Sequence, residues 1–104
     1  MIRIIRFNTY RDLQLPDRVQ AIEVVRQVAE AVTKVPGVKS CKVQLSNGDF
    51  VLVTEHENFG VADAVLEDPG VQAAGARMVA GFGLRACGDE FLADIEQLMP
   101  FLKK

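Results

Sequence analysis

Cys41-Lys-Val-Gln-Leu-Ser-Asn-Gly-Asp-Phe-Val-Leu-Val-Thr54 reads as a β-hairpin. Asn-Gly is the preferred pair of a two-residue type I′ turn, because both turn positions need a positive φ that these residues tolerate. A turn at Asn47-Gly48 sets the register: Leu45 faces Phe50, Val43 faces Leu52 and Cys41 faces Thr54. Side chains alternate along a strand, so Cys41, Val43, Leu45, Phe50, Leu52, Thr54 and His56 share one face. Lys42, Gln44, Val51, Val53 and Glu55 share the other. The first face is dry enough to lie under helices. The second is mixed, polar enough for water and apolar enough to want a partner.

Upstream of the hairpin, Val19, Ile22, Val25, Val28, Ala29 and Val32 step at helical spacing, with Arg18, Glu23, Arg26, Gln27, Glu30 and Lys34 on the opposite side. Pro16 suits the first turn of that helix, and Pro36-Gly37 stops it. Met1 to Tyr10 has the Ile- and Phe-rich pattern of a first strand, and Arg11 to Leu15 reads as a loop. Downstream, Asn58 caps a short helix over Phe59 to Leu66. Asp68 and Pro69 open a second piece with a stripe of Val71, Ala74, Gly75, Met78 and Phe82, which Gly81 and Gly83 end. Gly88-Asp89 reads as a turn, and Glu90 to Ile95 as the last strand. The tail from Glu96 is apolar at Leu98, Met99, Phe101 and Leu102, and Pro100 opposes a long regular helix there.

Residues 1–104 make one domain, long enough to hide roughly two-thirds of the unfolded surface. Twelve basic and fourteen acidic residues leave a formal charge of -2. The positives are scattered, which argues against nucleic acid, whose phosphates require a basic patch. No apolar stretch approaches the roughly 18 residues of a membrane span. Met1-Ile-Arg-Ile-Ile-Arg6 alternates like a strand rather than running apolar like a signal peptide, so a cytoplasmic setting is expected. Cys41 and Cys87, without CxxC spacing, are expected to be small buried apolar residues.

The element order is the ferredoxin-like βαββαβ plan: an α+β domain with one four-stranded antiparallel sheet covered by helices on one face. The segment Asp68-Pro69-Gly70-Val71-Gln72-Ala73-Ala74 resembles the helix-opening stretch of dimeric α+β barrel proteins. That superfamily includes antibiotic-biosynthesis monooxygenase-like proteins, haem-degrading monooxygenases, muconolactone isomerases and stress-responsive barrel domains. The resemblance covers nearly the whole chain and is one of plan. It implies a homodimer in which two sheets meet face to face, which suits the mixed face above. It also implies a cavity between sheet and helices. The activity it implies is monooxygenase-like or isomerase-like, with no cofactor, on a small hydrophobic or aromatic molecule.

Three residues are candidates for that cavity. In the haem-degrading and cofactor-free monooxygenase branches an asparagine on the first strand serves the active site, and Asn8 in Phe7-Asn8-Thr9-Tyr10 stands at a comparable place. Tyr10, the lone tyrosine, could donate a hydrogen bond to a bound carbonyl or phenol. His56, the lone histidine, could shuttle a proton near neutral pH. No metal site is expected, because Glu55, His56 and Glu57 point alternately to opposite sheet faces. Val35-Pro36-Gly37-Val38-Lys39-Ser40-Cys41 is similar to the helix–strand junction of heavy-metal-associated domains. Those domains carry CxxC after the first strand, where this chain has Asn8-Thr9-Tyr10-Arg11-Asp12. The competing reading is a non-catalytic binding or interaction module. A ring-sized pocket lined by two of Asn8, Tyr10 and His56 favours the enzyme; closure of the sheet–helix space by Phe50, Met78 and Phe82 favours the module.

Overall fold

A computed structural model of the chain describes residues 1–9 and 15–102. In chain order the elements are β1 (Ile2–Thr9), α1 (Leu15–Thr33), β2 (Val38–Ser46), β3 (Asp49–His56), α2 (Phe59–Glu67), α3 (Pro69–Phe82), β4 (Leu84–Leu92) and α4 (Ile95–Leu102). The four strands form one antiparallel sheet in the order β2-β3-β1-β4. This is the expected ferredoxin-like α+β plan, with the second helix in two pieces and a helix added at the end.

The hairpin has the expected register, with Leu45 opposite Phe50, Val43 opposite Leu52 and Cys41 opposite Thr54. Asn47 and Gly48 carry φ of 53° and 85°, the two positive values the turn requires. Side-chain oxygens cap both middle helices: Asn58 accepts from the Val61 amide at 3.0 Å, and Asp68 accepts from the Val71 amide at 3.0 Å. Gly83, left-handed at φ 65°, ends α3. Gly37, at φ +91°, turns the chain from α1 into β2 and accepts from the Glu57 amide at 3.1 Å. A methyl group on Gly37 would overlap Val61 Cγ2 of α2.

The core lies on one face of the sheet. Val25, Val28 and Val32 of α1 meet Ala74 and Met78 of α3 above Phe50 and Leu52 of β3, with Leu84 of β4 fully buried beside them. The valine-rich α1 has weak intrinsic helix propensity, so this packing holds it. Val19 leaves the expected stripe and stands 60% exposed, because α1 begins beyond the covered part of the sheet. Among the described residues no helix packs over the opposite sheet face. Its centre is Ile4, Val51 and Val53, cross-strand neighbours in the register, and Val51 is buried beneath side chains of that face. Arg6 reaches over this face to the Ser46 carbonyl at 3.1 Å and to Asp49 at 3.3 Å.

The last third of the chain departs from expectation. Gly88 and Asp89 are not a turn but the middle of β4, paired with Arg6 and Ile5 of β1. The register shifts between Arg6 and Phe7. Leu84 and Ala86 therefore face the helices, and so do Asp89 and Phe91, with the parity changing across the bulge. Ile95 begins α4 rather than ending a strand, and Pro100 sits inside that helix. Cys87 is exposed in this irregular stretch, while Cys41 packs against the core as expected. α4 packs extensively on no other element and exposes Ile95 and Leu102 by 68% and 71%. The Cα radius of gyration, 14.6 Å, accordingly exceeds the roughly 13 Å of a compact chain of this length. No helix among the described residues is long and apolar enough to cross a membrane.

Candidate functional site: a cleft between the first helix and the edge of the sheet

β2 is an edge strand, and α1 runs alongside it. One stripe of α1, Arg18, Ile22, Arg26 and Glu30, repeats every four residues and so follows one side of the helix. That side looks onto the outer edge of β2, with Ile22 also packing against the core. Between them lies a groove of about 750 Å³, walled by Ile22, Arg26 and Ala29 and floored by Cys41, Val43 and Leu45. It shares Ile22 and Leu45 with a smaller, more enclosed recess of about 60 Å³. Phe7, Phe50 and Leu84 line the inner end of that recess, with Arg18 beside them. The two form one cleft, apolar within and charged at its rim, of a size that accepts a small organic ligand.

Among the described residues the cleft holds one thiol, that of Cys41. Its sulfur lies 3.4 Å from the Thr54 hydroxyl, and burial pushes its pKa up more than that hydrogen bond lowers it. The thiolate is the reactive form, so Cys41 stays protonated and acts as floor.

Neither His56 nor Asn8 lines this cleft. His56 ends β3 on the helix-covered face, six residues from Phe50, or about 20 Å at the rise of a strand. It is 1% exposed, and neither Nδ1 nor Nε2 finds a hydrogen-bond partner among the described residues. Its backbone is held at both ends: its amide donates to the Met1 carbonyl at 2.8 Å, and the Met1 ammonium donates to its carbonyl at 3.0 Å. Burial, then the Arg3 guanidinium, then the Met1 ammonium depress its pKa, so the ring is neutral at pH 7. Asn8 pairs in register with Arg85, and alternation from Phe7 puts it on the uncovered face, with its Oδ1 buried and without a partner among the described residues. The structure therefore separates Asn8 and His56 by sheet face and by most of the length of β1. Tyr10 lies outside the described residues. The described residues contain no group of three or more His, Cys, Asp or Glu that could hold a metal ion.

The end of the sheet near His56 is built for structure. Arg3 makes a bidentate pair with Asp89, at 2.9 and 2.6 Å, and its guanidinium lies 4.8 Å from the Phe91 ring centre. The hydrogen bond from Arg3 holds the Asp89 carboxyl below its usual range. Phe91 in turn meets Phe59 of α2 at 6.0 Å between ring centres.

A neutral histidine buried with both nitrogens unpaired costs stability and gains nothing from protonation. Its native pKa lies below the ordinary 6.5, so the unfolded chain binds more protons between the two values. Stability is expected to be fully present above pH 6.5 and to fall as pH drops towards and through the native pKa. His56→Leu is expected to flatten that slope in pH-dependent urea melts. It should also raise the unfolding free energy at pH 7, by roughly 1 kcal/mol, because a shape-matched apolar group removes unpaired polar atoms. An unfolding free energy at pH 7 lowered by more than about 1 kcal/mol would show that the imidazole has a partner after all.

No family model and no curated protein sequence matches the chain. Solved structures do. SnoaB of Streptomyces nogalater, a cofactor-independent oxygenase, superposes with a TM-score of 0.68 at 12% identity, over 89% of this chain and 92% of that one. Rv0793 of Mycobacterium tuberculosis matches at 0.66 and 15%, over 89% and 95%. A protein described as an antibiotic biosynthesis monooxygenase matches at 0.63 and 13%, over 90% and 97%. Shared over almost the full length of each, this architecture is the ferredoxin-like α+β fold of the antibiotic biosynthesis monooxygenase-like structures.

Proposed function

We propose that the chain is one subunit of a homodimeric, monooxygenase-like barrel protein whose α1–β2 cleft binds a small hydrophobic or aromatic molecule. The observation that carries this reading is the cleft: an apolar recess closed by Phe7, Phe50 and Leu84 that opens into a larger groove. The fold shared with a cofactor-independent oxygenase supports the reaction class. In such a reaction the substrate supplies all four electrons that O2 takes up. It loses two hydrogens and gains one oxygen atom, while the second oxygen atom of O2 leaves as water. Tyr10, which lies outside the described residues, is the proposed hydrogen-bond donor to the ligand. His56 and Asn8 stand away from the cleft, and their proposed role is in the scaffold.

The test measures oxygen uptake with a panel of polycyclic phenols and hydroquinones. Uptake is expected with the wild-type protein. Ile22→Trp, which fills the junction of recess and groove, is expected to abolish it while leaving the fold intact by circular dichroism. Uptake unchanged in Ile22→Trp would remove the cleft from the reaction.

A second reading, a binding module without catalysis, is favoured by one observation. Phe50, Met78 and Phe82 do close the central space between sheet and helices. In that case ligands shift the melting temperature, Ile22→Trp abolishes the shift, and no oxygen is consumed.

A further inference from the structure

The two parts of the cleft differ more than tenfold in volume, about 60 Å³ for the recess and about 750 Å³ for the groove. Among the described residues only Ile22 and Leu45 line both. Ile22 comes from α1 and Leu45 from β2, so passage from groove to recess runs between these two side chains. They are held differently. Ile22 packs against the core. Leu45 shares the helix-covered face and stands opposite Phe50, which is 6% exposed, yet Leu45 itself is 63% exposed and no part of the core. Its backbone is fixed by the Asn47-Gly48 turn, and Gly48 also lines the recess. Behind Leu45 stand Phe50 and Phe7, its successive cross-strand neighbours. Leu45 thus guards the aromatic inner end and contributes little to the fold.

A void holds one water for each 10–15 Å³ or so, which gives the recess room for about four to six atoms of carbon size, or one six-membered ring. The groove has room for a larger body. Resting on the cleft reading above, we infer that Leu45 is the specificity-determining residue of the cleft, admitting a ligand whose leading end is a single unsubstituted ring and whose remainder lies in the groove. Selection by width works through exclusion: a broader ring meets Leu45 and Ile22 before it reaches Phe7 and Phe50, and forfeits the inner contacts.

The probes are biphenyl-4-ol and its 3,3′,5,5′-tetramethyl analogue, equal in length and widened at both rings, so that turning the molecule round gives no narrower end. The chain has no tryptophan, so the fluorescence of the probes themselves reports binding to the full chain. In an open apolar groove the added methyl groups would tighten binding severalfold each. The wild type is expected to show the reverse order, with biphenyl-4-ol bound at least about tenfold more tightly, the scale on which a pocket rejects an extra methyl group. Leu45→Ala is expected to remove that preference by strengthening the analogue, and to leave the melting temperature nearly unchanged because the residue is outside the core. Val43→Ala, on the same strand and face but lining the groove alone, is expected to affect both probes alike and keep the preference. A wild type that binds the wide analogue as tightly as biphenyl-4-ol or more so, a preference that survives Leu45→Ala, or one that Val43→Ala removes equally well overturns the assignment to Leu45 while the cleft stands. Failure of both probes to bind, or binding that survives Ile22→Trp, overturns the cleft reading and this inference with it.

Discussion

Val53→Arg is expected to convert a homodimer into a folded monomer, seen in light scattering as a halving of the mass at micromolar concentration. Val53 sits in the middle of the uncovered sheet face, flanked in register by Ile4 on β1 and Lys42 on β2. In the proposed dimer this face meets its own copy, so one substitution acts twice, once from each subunit. Each new guanidinium would lose its water with Lys42 beside it in register. An unpaired charge buried in an interface costs several kcal/mol, and every 1.4 kcal/mol is tenfold in affinity. The dissociation constant is expected to rise at least about a thousandfold. The substitution leaves the covered face untouched, so the far-ultraviolet dichroism should keep its shape. A dimer of unaltered mass would show that this face is not the contact. The exposed apolar side of α4 belongs to the same reading, and Ile95→Asp is expected to weaken the dimer by less, since Ile95 lies off the end of the sheet.

Gly37→Ala is expected to destabilise the fold by about 2–4 kcal/mol, or 10 °C or more in melting temperature for a domain of this size. Two costs add. A left-handed backbone at φ +91° is costly for any residue with a Cβ, by about 1–2 kcal/mol. The new methyl would also overlap Val61 on α2, and backbone on both sides must shift to relieve it. The two can be separated. Gly37→Ala/Val61→Ala removes the overlap and keeps the strain, so it should be more stable than the sum of the single changes. Strict additivity in urea melts would mean that the overlap carries no weight. The site matters because Gly37 holds the junction between α1 and β2, the two walls of the cleft.

The sheet and its caps were legible because each rested on local chemistry. Asn47-Gly48 admits one tight turn, and that turn sets the hairpin register residue by residue. Asn58 and Asp68-Pro69 cap helices for reasons contained within four residues. β4 was not legible from its start, because the bulge opposite Arg6 and Phe7 breaks the alternation that announces a strand. Leu84 and Ala86 are inward on one side of it, Asp89 and Phe91 on the other. A change of parity beside Gly88 looks like a turn when no partner strand is in view. α4 was hidden by Pro100, which costs one hydrogen bond near the end of an eight-residue helix and does not prevent its earlier turns.

The cleft was invisible for a different reason. Arg18, Arg26 and Glu30 lie opposite the apolar stripe of α1, and helical periodicity assigns such residues to water. It cannot report that an edge strand stops short and leaves a channel beside them. His56 stood out as the lone imidazole, yet position in the sheet, not residue type, decides whether it can meet a substrate. Strand alternation placed it on the covered face. What the sequence lacked was the neighbour order β2-β3-β1-β4, which puts the end of β3 against Met1 and far from the recess.

The irregular register of β4 also governs how copies of this molecule can associate. A sheet with two bare margins is a template for endless growth, strand upon strand, into filaments. An even row of amides is what the next strand would copy, and the extra residue near Cys87 bends that row at its middle. With one margin kinked and the other lying beside a helix, neither offers a straight template, and the proposed dimer, stacked broad side to broad side, would close after two.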